Sequence, residues 1–304
     1  MSLITQTTIS NVSNSLKKST KPSFIFAHSY WDILPVLCGI AHLAYLIAMF
    51  VFFDQLSWGQ NAILGLIYAW SISWNINGVS HFFIHNAYFK SSLLNRLFSL
   101  IESVSMFFSQ TFYDNVHRRH HSGNSDLQDA KGETVDWLSI YRYGKNGQAE
   151  NVWAYTLKSY FRDEPGVIFK EIYRRSPFLA WFGVFEITVV ISLVILGVIF
   201  NWKFMLFMLP FYFLGNCLSS LNGFYEHWRG KPNLPIAWGV SSYGWLYNFL
   251  WFNNGYHAEH HYRPKHHWSK MKQLHAQIAE QQKQAGVHVI KWSHGLGFLQ
   301  SDKQ

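Results

Sequence analysis

Charge is scarce in this chain. Only 14% of its 304 residues are Asp, Glu, Lys or Arg, against about a quarter in an ordinary soluble domain. Acids are the scarcer sign, 17 against 25 lysines and arginines, for a net charge of +8. Cysteine is nearly absent. Cys38 and Cys217 are too few for a disulfide scaffold, and both read as small apolar residues within apolar segments. The first 23 residues are rich in Ser, Thr and Asn and lack the apolar core of a signal peptide. They read as a mobile tail ahead of a single domain over 24–304. There is no repeat of solenoid period and no Gly-rich phosphate loop. The abundance is apolar instead, at 49% hydrophobic, which excludes a disordered or fibrous chain. A net positive charge suits either a nucleic-acid binder or a membrane protein facing anionic lipid, and the distribution of the charges decides between them.

Four runs are almost free of charge: 33–53, 62–79, 178–200 (with Glu186) and 204–221. Each approaches the roughly 20 residues a helix needs to cross the hydrocarbon layer. The connections within each pair, 54–61 and 201–203, are short, so two helical hairpins are predicted, since lipid leaves the backbone no other way to satisfy its polar groups. Of the 25 cationic residues only Lys203 falls in those connections. A 24-to-1 split puts both termini and the segments 81–177 and 224–304 in the cytoplasm, at a bacterial inner membrane or the endoplasmic reticulum. It also accounts for the positive charge without nucleic acid. The runs 97–113 and 236–256 are apolar but interrupted, by Glu102 in one and by several Trp, Gly and Asn in the other. They are expected to lie along the membrane surface or to cap a cytoplasmic region, because one more crossing would break the one-sided charge. Glu186 and Glu102 are functional candidates as acids at or within the membrane, although Glu186 lies near one helix end, within reach of the interface.

The 16 histidines nearly equal the acids in number. Eight form three groups: His81-Phe-Phe-Ile-His85, His117-Arg-Arg-His120-His121 and His257-Ala-Glu-His260-His261. Residues three and four apart share a helix face, so each group offers two or three imidazoles to one point, and imidazole suits iron, copper, zinc and nickel. Eight ligands exceed one metal, since a single zinc takes four. Seven of the other eight, His28, His42, His266, His267, His275, His288 and His294, read as ordinary surface or hydrogen-bonded core residues.

The order of these groups, with apolar spans before and between them, resembles the membrane-bound fatty-acid desaturase and hydroxylase superfamily. The stretch Asn254-Gly-Tyr-His257-Ala-Glu-His260-His261-Tyr-Arg-Pro264 is similar to that family's third histidine box. Tyr225-Glu226-His227 is similar to the additional histidine site of the sphingolipid-desaturase and alkane-hydroxylase branches. The resemblance implies an all-α membrane protein, with four transmembrane helices in two hairpins and a cytoplasmic helical cap carrying the boxes. It implies a non-haem di-iron centre held by His81, His85, His117, His120, His121, His227, His257, His260 and His261, with no catalytic residue beyond these ligands. Asp126, Asp129, Glu226 and Glu259 are candidates to accept from the outer ring nitrogens of those ligands, although Asp129 and Asp126 also suit turns.

The implied reaction is oxygen-dependent desaturation of a fatty-acyl or acyl-lipid chain, favoured by the Gly-Tyr-His-x-Glu-His-His form of the third box. The alternative within the superfamily is a hydroxylase, ketolase or decarboxylating oxygenase. The alternative of another class is a membrane metal transporter or sensor, which needs polar ligands at mid-membrane depth. No flavin, haem or Cys-rich iron–sulfur motif is present, so a separate electron carrier of ferredoxin, rubredoxin or cytochrome b5 type is implied, for which Lys170, Arg174 and Arg175 offer a docking patch.

Overall fold

The computed structural model describes residues 24–300, Asn124 excepted; the expected tail over 1–23 lies outside the described residues. The architecture is all-helical, and among the described residues extended pairing is limited to two isolated bridges. Helix α1 (Ile33–Phe52) follows a turn in which Ser29 and Asp32 form a capping box. A second capping box, Ser57 with Gln60, starts α2 (Trp58–Asn75), and Asn61 Nδ2 donates back to Phe53 O to close the connection. The two helices run antiparallel. The Tyr45 hydroxyl donates to Leu64 O at 2.8 Å, His42 packs on Tyr68, and Val36 shares a buried cluster with Val79.

The 51-residue helix α8 (Pro177–His227) is broken at Asn201, where φ is −153° and ψ 75°. Asn201 Oδ1 accepts from the Phe204 N–H and so restarts the helix as an N-cap does. At Gly197 a Cβ would stand 2.6 Å from Met205 Sδ. Eight residues of straight helix would hold these positions about 12 Å apart, so the second half turns back along the first. Two segments, Tyr30–Gln55 and Pro177–His227, are long and apolar enough to cross a membrane. The expected span over 62–79 is not one of them. It is α-helical only to Asn75 and continues as a buried π-helical turn, Ile76–Ser80, into α3 (His81–His85).

The run 97–113 departs from expectation. It does not lie on the surface. It belongs to two helices, α4 (Ser92–Met106) and α5 (Gln110–His120), that wedge inward against α1, α2 and α8. The Tyr68 hydroxyl, midway along α2, donates to Ser105 O, and Met106 joins a cluster with Leu46, Met49, Phe53, Phe204 and Met208. The serines of the run bond their own helix, Ser103 Oγ to Ser99 O and Ser105 Oγ to Ile101 O, so burying them leaves no orphan hydroxyl. Phe107 (φ 54°) ends α4 in the left-handed conformation.

The rest forms a cap around the far ends of α2 and α8. It comprises α6 (Val152–Lys158), α7 (Pro165–Arg175), α9 (Trp245–Leu250), α10 (His257–Tyr262) and α11 (Met271–Ala285). Much of 236–256 is irregular, with Trp245 and Phe249 each 75% exposed. Met271, Leu274 and Ile278 of α11 pack against Tyr256 beneath α10.

Candidate metal centre

The histidines arrive at the ends of helices. His81 and His85 sit on α3, carried by the π turn that Asn77 braces through Ser73 O and Ser219 Oγ. His117, His120 and His121 close α5, His227 is the last residue of α8, and His257, His260 and His261 occupy α10. They gather in two groups. His81, His85, His117, His121 and His260 offer one ring nitrogen each within 4.8 Å of one another, and His120, His227, His257 and His261 do the same. Within the groups, Nε2 atoms face Nε2 atoms: 2.8 Å for His81–His260 and for His85–His117, 3.1 Å for His117–His121 and His121–His260, 3.2 Å for His120–His261 and for His227–His257. Nitrogens bound at about 2.1 Å to one ion stand roughly 3 Å apart when at right angles. Neutral imidazoles cannot satisfy one another in such a ring, because each has a single N–H. The nine nitrogens therefore fit two metal ions, one held by five rings and one by four.

The electrostatics favour the neutral, metal-binding form. Burial first, then the neighbouring imidazoles, hold His85, His117, His121, His257, His260 and His261 well below the ordinary value, and burial takes His81 down to about 3. His120 goes the other way. Burial opposes its charge, but the Asp136 carboxylate, 2.7 Å from its Nδ1, outweighs that.

The carboxylates sort differently from expectation. Asp126 Oδ2 lies 3.1 Å from His227 Nδ1 and accepts from Trp238 Nε1. Burial pushes its pKa up, yet the facing His227 brings it below the usual range. Glu226 stands 3.7 Å from His257 Nδ1 and accepts from Asn222 and Asn254. Asp129 is nowhere near a ligand. It accepts from the Lys131 and Glu133 N–H groups in its own exposed turn. Glu259 faces away from the rings between which it sits in sequence, accepting from Ser241, Tyr243 and His275. Its position on α10, between histidines that face the two clusters, points it to the opposite side. Asp136, which sequence reasoning missed, takes the place beside His120; lying 16 residues on, it carries no spacing signal. Of the patch on α7, Arg175 bonds Asn115 Oδ1, while Lys170 and Arg174 stay exposed.

A cavity of about 600 Å³ opens onto His81, His117, His120, His227 and His257, within the usual range for a small-molecule site. One wall is a single face of α5: Ser109, Phe112, Tyr113, Val116, His117 and His120. Another is a single face of α8: Asn216, Ser219, Ser220, Gly223 and His227. Each stripe spans twelve residues, about 16 Å of helix, and the turn Phe107–Phe108 lines the cavity beyond the start of α5. Ser159 pairs with Ser220, Ser219 with Asn77 and Tyr160 with Tyr212, and the lining is chiefly apolar.

No curated protein and no solved structure is matched by the chain. The family model for Fatty acid desaturase matches residues 56–293, a stretch that contains all nine histidines and both walls of the cavity. The chain belongs to the fatty acid desaturase family, membrane-bound enzymes that use dioxygen to oxidise lipid substrates.

Proposed function

We propose that this chain is a di-iron desaturase that introduces a double bond into an acyl chain. One observation carries this: nine ring nitrogens converge as five and four at the end of a long apolar cavity. When bound, two irons supply the reductive activation of dioxygen that breaks an unactivated C–H bond. The residues of this chain do the rest. His81, His85, His117, His121 and His260 would hold one iron, and His120, His227, His257 and His261 the other. Asp136 and Asp126 orient His120 and His227 through their Nδ1 atoms. The α5 and α8 stripes lay the chain along the rings, and the buried surroundings exclude water from the oxidised carbon. The Gly-Tyr-His-x-Glu-His-His stretch favours desaturation over hydroxylation, ketone formation or decarboxylation. Electrons come from a separate small carrier.

We read α1, α2 and the two halves of α8 as four membrane crossings, with the histidine cap and both termini in the cytoplasm. The apolar lengths of α1 and α8 support this, as does the one-sided distribution of cationic residues.

The test is the lipid profile of cells that express the chain together with an electron carrier, set against His120→Ala. Lipids two hydrogens lighter, present with wild type and lost in the variant, are expected. Lipids with an added oxygen would transfer the assignment to the hydroxylases.

A further inference from the structure

Glu186 is the one acid within the apolar run 178–200, and its side chain is completely buried. It does not reach toward an interface. Its carboxylate collects three donors, all from the α4–α5 pair. Ser99 Oγ of α4 donates to Oε1, while Ser109 Oγ and the Thr111 N–H donate to Oε2, the latter at 3.0 Å. The Thr111 N–H is one of the four that the first turn of α5 cannot satisfy within the helix, and a carboxylate there also meets the positive end of the helix dipole. Ser109 is the N-cap itself: its oxygen accepts from the Phe112 N–H while its proton goes to Glu186.

A second, independent contact lies three residues earlier on the same face of α8. At Gly183 an added Cβ would stand 2.6 Å from the Phe112 ring, so the first turn of α5 rests directly on the α8 backbone. Ser103 of α4 accepts from the Gln110 N–H and fixes the same turn from the other side.

A buried carboxylate is weak evidence for stability, because a well-packed apolar residue of similar size often serves the fold as well. What a carboxylate adds here is position. All three donors belong to the pair of helices whose far end carries His117, His120 and His121. From Thr111 to these ligands is six to ten residues, roughly 9–15 Å along one rigid helix, and ligand sets tolerate errors of only about 0.5 Å. We infer that Glu186 is a positioning residue for the metal centre: from within α8 it clamps the first turn of α5 and so sets the height and rotation at which that helix delivers His117, His120 and His121. This rests on the proposed di-iron reading.

The experiment uses the full-length protein in detergent, stripped of metal and titrated anaerobically with ferrous iron against a competing chelator. Affinity, the Mössbauer spectrum of the loaded protein and the melting temperature of the metal-free protein are recorded together. Glu186→Gln keeps the size but offers one acceptor oxygen in place of two. It is expected to weaken iron binding by about 10-fold or more, in the range usual for groups that orient ligands, and to alter the spectrum. Ser99→Ala removes one donor and is expected to weaken the same binding less. Thr188→Val, on the exposed face of the same helix with its hydroxyl bonded to Val184 O, is expected to change neither. Wild-type affinity and spectrum in Glu186→Gln would overturn the inference. Should that variant not fold, Ser99→Ala and Gly183→Ala decide it, and unchanged iron binding in both overturns it. If wild type itself fails to take up two irons, the di-iron reading falls instead.

Discussion

Asp136 holds the outer nitrogen of His120 at 2.7 Å and is 1% exposed. Asp136→Asn keeps the shape but removes the charge that favours a ring donating from Nδ1 and binding metal through Nε2. Iron affinity is expected to fall by about 10–100-fold, read by chelator competition; wild-type affinity would return Asp136 to an ordinary buried acid. His275 offers a prediction in pH. Its bond to Glu259 raises its pKa, against the effect of burial. A raised imidazole stabilises the fold fully below its unfolded value of about 6.5 and loses that contribution as pH rises through the folded value. The difference in melting temperature between wild type and His275→Gln is therefore expected to be widest near pH about 5.5 and to close as the pH rises above neutral. A difference that does not vary with pH would discard the ion pair. Eight of the nine histidines proposed as ligands were legible because i,i+3 and i,i+4 spacing is itself a geometric statement; His227 has no such spacing and entered only through the resemblance. Asp136 was not, because its proximity to His120 is made by a loop. Glu259 was misread because sequence adjacency to two ligands puts a helical residue on another face.

Helix ends carry the chemistry, and two local devices aim them. The π turn at Ile76–Ser80 inserts extra backbone just before His81 and so rotates α3 relative to α2. No composition signal marks it, since its residues, Ile-Asn-Gly-Val-Ser, suit a helix end equally well. The inward course of α4 and α5 was hidden by Glu102, an acid in mid-run that is nonetheless completely buried. The turn between these helices lines the cavity and contains Phe107 in a left-handed conformation that costs a non-glycine residue strain. Phe107→Gly relieves that strain and removes the ring, which packs edge-on against Tyr212. The variant is expected to fold and to shift its products toward longer acyl chains, measured by mass spectrometry of total fatty acids. An unchanged length distribution would take this turn out of the path of the chain.

At the scale of the molecule, the sequence pattern made the helical class legible, because long runs free of charge are runs that a helix can bury. It did not reveal how the apolar runs meet. Asn201 Nδ2 donates to Asp54 Oδ2 at 2.9 Å, so the two short connections come together at one end. The histidines gather at the other. From Lys203 to His227 the second half of α8 covers about 36 Å, slightly more than the roughly 30 Å of a hydrocarbon layer. The topology proposed above puts a bilayer between the two ends, with the histidine end in the cytoplasm. Cys38 and Cys217 lie in apolar helices, so cysteines added at exposed sites can be read against a low background. In intact cells a membrane-impermeant maleimide is expected to label Gln60→Cys, on the Asp54 side, and to leave Lys283→Cys, on α11 of the cap, unlabelled until the membrane is opened. Labelling of Lys283→Cys in intact cells would reverse the orientation. Equal protection of both would mean that the Asp54–Asn201 end never leaves the cytoplasm, so that the four apolar lengths enter the membrane without crossing it.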